Sequence, residues 1–251
     1  MDVDARLRRL QAYNAGLAVL HTVQGVLILV LGTAAALPVV GTFLTGNPSQ
    51  RGADVATEHL FDVRVAPFVA AFLFLAALDH ALCAGPLRVW YERDLLAGRN
   101  HLRWIEYSVS ASLMVVLIAM LSGVADVAAL LALFGVNAAM ILFGLLTERY
   151  EQPGRASWLP YAFGVLAGVV PWVSIAIYLW SPGTAAEPPA FVYGIFVSLF
   201  IFFNSFAINM VLQYAQVGRW RDYLFGESVY GALSLVAKSA LAWQVFAGTL
   251  T

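Results

Sequence analysis

Lysine occurs once in 251 residues, at Lys238, and cysteine once, at Cys83. Charge of either sign is scarce: 12% of the residues are Asp, Glu, Lys or Arg and 61% are hydrophobic, with a mean hydropathy of +0.78. Soluble domains run at about 45–50% apolar and about 25% charged, so this balance describes a membrane protein. The net charge of −1 argues against nucleic acid as a partner, because phosphate binding needs a basic surface that releases counterions. One thiol forms no internal disulfide and is too few for a metal cluster, which leaves Cys83 as a small core residue. No nucleophile-and-base pair or metal-ligand cluster stands at usable spacing, so the sequence does not read as an enzyme.

What is present is long apolar runs. A spanning helix needs about 20 mostly apolar residues, and seven candidates occur, at residues 12–40, 63–85, 102–122, 126–147, 158–180, 190–215 and 227–249. The first run continues well past the roughly 7–15 apolar residues of a signal-peptide core and has no prompt small-residue cleavage site, so it reads as a retained span. Between the runs stand turn-forming stretches such as AGPLR, SGVAD, QPGRAS and SPGTAAEPP. Neither repeats nor low-complexity segments separate them, and the whole chain, 1–251, reads as one seven-helix domain. The loop at 41–62 is the longest and has room for a short β-hairpin.

Arginine sets the expected orientation, because basic loops stay cytoplasmic. Arg6, Arg8, Arg9, Arg88, Arg93, Arg99, Arg103, Arg149, Arg155, Arg219 and Arg221 fall on one side; only Arg51 and Arg64 fall on the other. The amino terminus is therefore expected in the cytoplasm, and the 41–62 loop and the carboxyl terminus outside.

Against this apolar background the ionisable residues stand out. A charge at mid-bilayer costs about 2.5–3.5 kcal/mol on insertion scales and marks a functional candidate that needs a partner. Lys238 lies near the middle of the seventh run, about eleven residues from either end at ~1.5 Å each, too far to snorkel. Its expected partner is Glu106, about one turn inside the third run; the alternatives are that Glu106 pairs with Arg103 at the interface, or that Asp79 on the second run is the anion. Ser234 stands one helical turn before Lys238 on the same face. With His21, His80 and Gln24 it suggests a polar cavity in the inner half of the bundle, while His59 and His101 belong to loops. In the outward halves, stretches such as ASLMVVLIAML and VPWVSIAIYLW carry no titratable carboxylate, histidine or basic group.

Five stretches carry a family likeness: RWIEYSVSAS (from 103), ALFGVNAAMILFG (132–144), GVVPWVSIAIY (168–178), PPAFVYGIFVSLFIFFNSFA (188–207) and SLVAKSALAWQVFAGTL (234–250). On these the chain resembles heliorhodopsins, the inverted relatives of microbial rhodopsins, along essentially its whole length. The resemblance implies a rhodopsin-like, all-α seven-helix bundle with its amino terminus inside. It implies all-trans retinal joined to Lys238 as a protonated Schiff base, in which an amine condenses with an aldehyde. Glu106 is then the sole counterion and Ser234 lies beside the nitrogen. His21 and His80 match the family histidines associated with the proton after illumination. Family members look like dimers in the cell membrane with a slow photocycle and generally do not pump ions; some resemble regulators of a cytoplasmic partner.

Tyr107, Asn137, Met140, Phe202, Phe206 and Trp243 are candidates to line a polyene channel, with Trp172 and Tyr178 weaker ones; ordinary helix packing accounts equally well for any one of them. Asp79, in ALDHALCAG, departs from the apolar neighbour expected beside His80 in relatives. The competing functions are a light-driven proton or ion transporter, against which the missing outer relay argues, and a solute carrier, against which the lack of repeats argues.

Overall fold

The computed structural model describes residues 3–47, 49, 54–180 and 188–250. Arg51 and most of the 181–189 loop lie outside them. Seven helices are long and apolar enough to cross a membrane: α1 (Val3–Leu31), α2 (Val65–Ala84), α4 (His101–Leu121), α5 (Val127–Tyr150), α6 (Leu159–Leu179), α7 (Ala190–Tyr214) and α8 (Tyr223–Val245), the last continued by a π-helical turn, Phe246–Leu250. A short helix, α3 (Arg88–Leu96), joins α2 to α4, and strands β1 (Ala36–Leu44) and β2 (Val55–Arg64) form an antiparallel hairpin between α1 and α2.

Local chemistry places the helix starts. Asn100, Asp126 and Asp222 cap α4, α5 and α8, each side chain accepting a backbone N–H of the first turn. Pro160 sits in the first turn of α6, where its missing N–H costs nothing, and Pro189 precedes α7.

The first span ends nine residues earlier than its apolar run suggests. After Leu31 the backbone turns extended, and Pro38, which has no N–H to continue a helix, lies inside β1. The hairpin is correspondingly longer than the predicted 41–62 loop, running from Ala36 to Arg64. Residues 88–96, expected as loop, form α3, with Tyr91, Asp94 and Leu95 buried and Val89 and Leu96 exposed.

Neighbouring helices pack in sequence order, α1 on α2, α4 on α5, α5 on α6 and α7 on α8, while α2 on α4 and α1 on α8 help close the bundle. Between α6 and α7 the contact is aromatic: the Trp172 ring meets Phe196, Phe200 and Phe203 edge-on at 5.3–5.4 Å. Helix α4 is the most enclosed span, 72% buried, which makes it the natural carrier of interior chemistry.

The bundle has two unlike ends. Toward the hairpin the core is apolar, built around residues such as Phe72, Leu117, Ile175, Ile195 and Leu241. Toward the arginine-rich end the interior contains Asn14, His80, Arg103, Glu148 and Glu227, all buried.

Candidate functional site

Lys238 projects from α8 into the bundle and is 3% exposed. A helical side chain leans toward its helix N-terminus, which aims the amine at Ser234, one turn earlier. Nζ donates to Ser234 Oγ at 2.9 Å and to Glu106 Oε2 at 3.3 Å, and lies 4.9 Å from the centre of the Tyr107 ring. Glu106 is buried; its second oxygen, Oε1, has no hydrogen-bond partner among the described residues. Of the two anions weighed for Lys238, the one in contact is Glu106. Arg103 is not its partner.

Beside the amine is a cavity walled by α4, α5, α6, α7 and α8. Of the candidates named from sequence, Tyr107, Met140, Phe206, Ser234 and Lys238 line it. Asn137, Phe202 and Trp243 do not. The Asn137 amide donates to Ser112 Oγ at 3.1 Å, Phe202 packs on the apolar core while its neighbour Phe203 takes the wall, and the Trp243 indole donates to Gln24 Oε1 at 3.0 Å. Trp172 is held in its phenylalanine cluster and Tyr178 is half exposed. Trp104, Phe143, Tyr161 and Met210 complete the wall without having been singled out in sequence. Trp104 and Phe143 lie within the matched stretches, whereas Tyr161 and Met210 lie outside them and carried no signal in the sequence.

Glycine shapes this wall. A Cβ on Gly144 would stand 2.3 Å from the Trp104 ring, and one on Gly168 2.6 Å from Met140 Sδ, so both side chains occupy space that only glycine leaves.

A second, smaller cavity lies on the arginine-rich side, lined among others by Asn14, Asp79, His80, Tyr91, Arg103 and Glu227. Tyr107 lines both cavities. The predicted polar group is thereby split. His80 reaches the second cavity, its Nδ1 2.8 Å from Asn14 Oδ1. His21 stacks on His80 with ring centres 5.7 Å apart and leaves both its nitrogens unpartnered among the described residues. Gln24 turns to Trp243, and Ser234 belongs to the first cavity.

Glu148, Glu227 and a buried Arg103 form an ion triad absent from the sequence reading, which counted Arg103 among loop charges. Arg103 is ion-paired with both glutamates and lies under the Tyr230 ring, 4.0 Å from its centre. Glu148 also accepts from the Trp104 indole at 2.7 Å and the Asn100 amide at 2.9 Å; Glu227 accepts from the Asn100 side chain at 2.7 Å. From Glu227 the bonding continues through the Tyr91 hydroxyl at 3.4 Å to Asn14 at 3.2 Å and on to His80. Burial, with Glu227 beside it, pushes the Tyr91 phenol well above its ordinary pKa, so it stays a donor. His101, expected in a loop, opens α4 and meets Asp94 at 2.6 Å. His59 lies in β2, 2.9 Å from Asp62.

Among known protein families, heliorhodopsin matches residues 10–250. The chain belongs to the heliorhodopsin family. No curated protein matches it. Heliorhodopsins are photoreceptor-type membrane proteins, and membership implies a retinal chromophore bound to a lysine. The first cavity suits such a group: its walls are methionine, aromatic and aliphatic side chains, its polar groups are few, and an amine with an adjacent carboxylate stands at one side. In this heliorhodopsin the amine is Lys238, the chain's single lysine.

Proposed function

We propose that the protein is a light sensor that holds all-trans retinal on Lys238, with Glu106 as counterion. The observation that carries this reading is the sole lysine, buried 3.3 Å from a buried carboxylate at the side of an apolar cavity. Bound there, the polyene supplies light absorption and isomerisation. The chain's residues do the rest. Lys238 would hold the group covalently, its amine condensing with the aldehyde with loss of water. Glu106 holds the proton on that nitrogen by charge and hydrogen bonding. Ser234 orients it from the same helix, and Tyr107 lays its ring against the cation. Trp104, Phe206 and Met140 confine the chain of double bonds, with Gly144 and Gly168 leaving room for the wall.

In this reading the arginine-rich end faces the cytoplasm and the hairpin faces outward in the cell membrane. The photocycle is slow, the protein is a homodimer in lipid, and movement at the arginine-rich end informs a cytoplasmic partner. Purified protein mixed with all-trans retinal is expected to develop a visible band that K238A does not. Borohydride under illumination should fix the chromophore to the peptide containing residue 238. Colour retained in K238A overturns the assignment.

A further inference from the structure

We propose that the loops joining α5 to α6 and α7 to α8 form one docking surface for the headgroup of an anionic phospholipid. The proposal goes beyond the light-sensing reading and stands whether or not retinal binds.

The two loops are held against each other. The Gly154 amide donates to the Tyr214 carbonyl at 2.8 Å, and the Trp158 ring meets the Tyr214 ring with centres 6.4 Å apart. Trp158 (φ 64°) and Gln216 (φ 57°) both hold the left-handed backbone conformation, which bulky residues keep only where the surroundings fix it. The surface therefore has a set shape.

Four arginines stand on it: Arg149 in the last turn of α5, Arg155 ahead of α6, and Arg219 and Arg221 in a short 3-10 turn, Gly218–Arg221, ahead of α8. All four are exposed, and none has a carboxylate partner among the described residues. Arg149 lies over the Tyr150 ring at 5.8 Å, Arg219 over the Phe225 ring at 4.3 Å, and Arg221 Nε donates to the Gln216 carbonyl at 2.8 Å. Of the two acids in these loops, Asp222 caps α8 and pairs with Arg6, and Glu151 accepts the Ser157 amide at 2.6 Å. Around α3 the balance differs, with Arg88 paired to Glu92 and Arg99 to Asp94.

A guanidinium offers several N–H donors in a fork that fits two phosphate oxygens, and most of those donors are unused here. Each arginine also lies within a few residues of a helix end, which is the level of phospholipid headgroups. Apolar side chains share that level: Leu146 and Tyr150, one turn apart on α5, Leu159 at the start of α6, and Val217 in the second loop are exposed. An acidic peptide in solution would match the charge and leave these side chains bare. A phospholipid meets both, its phosphate on the arginines and its acyl chains on the apolar groups.

The test titrates full-length protein in detergent with phosphatidylglycerol or with phosphatidylcholine of the same acyl chains, counting bound lipids by native mass spectrometry. The first phosphatidylglycerol should bind about 10-fold more tightly than the first phosphatidylcholine, and R149Q/R155Q/R219Q/R221Q should lose that preference. R8Q/R9Q/R93Q/R99Q removes the same charge from α1 and the α3 region and should keep it. R149Q/R155Q leaves the 3-10 turn intact and should lose part of the preference, which keeps the test decisive if the quadruple variant does not fold. Equal binding of the two lipids by the wild type, a loss shared by the α1 and α3 variant, or displacement of phosphatidylglycerol by an equal concentration of a glutamate peptide or inorganic phosphate each overturns the proposal.

Discussion

Glu106 and Lys238 face each other at 3.3 Å inside the bundle, so removing either charge strands the other. With the chromophore in place, E106Q leaves the positive charge free to spread from the nitrogen along the polyene. Its visible band is expected to redden and to bleach at milder alkali than the wild type, read by absorption spectra during titration. An unchanged band would mean another anion serves the nitrogen. The Arg103 triad obeys the same logic with a different readout. R103Q leaves Glu148 and Glu227 as buried, unpaired neighbours, and losing one side of a buried ion pair costs about 3–5 kcal/mol. Melting of the detergent-solubilised protein should show that loss, and R103Q/E148Q/E227Q should recover most of it. Lys238 and Glu106 were legible in sequence because a charge within an apolar run is conspicuous. Arg103, Glu148 and Glu227 were not, since charges near helix ends ordinarily face the lipid headgroups. Nor does a residue's type reveal its rotation about the helix axis: Phe202 and Phe203 are adjacent and identical, yet only Phe203 meets the cavity.

At the scale of elements, seven apolar runs translated directly into seven spans because bilayer thickness sets their length. The hairpin's reach and α3 escaped the same reading. TAAALPVV is as apolar as the helix before it, so hydropathy alone ran through Leu31, and α3 is too short and too mixed in polarity to register. Asp126 ties the hairpin to the bundle. Its side chain caps α5 through Ala128 and Ala129 and also accepts the Thr42 amide of β1, while the neighbouring Ala125 carbonyl accepts from Val40. The Ala129 amide first, with Thr42 and Ala128, holds this carboxyl below its usual value. A carboxyl depressed on folding stabilises above its unfolded pKa of about 3.9, and that contribution fades as pH falls through the folded value. The protection factor of the Thr42 amide, its exchange rate corrected for the intrinsic rate at each pH, should therefore fall at acid pH in the wild type. D126N, an equally good cap, should lose this acid response, and D126A should have a lower protection factor at every pH. Equal protection factors in all three proteins would detach the hairpin from Asp126.

The whole molecule is polar at one end and dry at the other, and that asymmetry constrains what light can drive. On the arginine-rich side, bonded groups run from His80 through Asn14, Tyr91 and Glu227 to Arg103. On the hairpin side, where residues such as Phe72, Ile195 and Leu241 form the core, no Asp, Glu, His, Lys or Arg is buried among the described residues; part-buried polar side chains there are hydroxyls and amides such as Ser198 and Gln244, which bond to each other. A proton leaving Lys238 has acceptors on one side only, and carrying it outward through the apolar half would mean placing an unpaired charge in hydrocarbon surroundings. Net transport needs both halves of such a path. Cells expressing the protein with retinal are therefore expected to give at most a brief charge displacement under patch clamp and no stationary photocurrent. A current that persists through continuous light would require a proton or ion route through the Phe72–Ile195–Leu241 core, and would turn the reading from sensor to transporter.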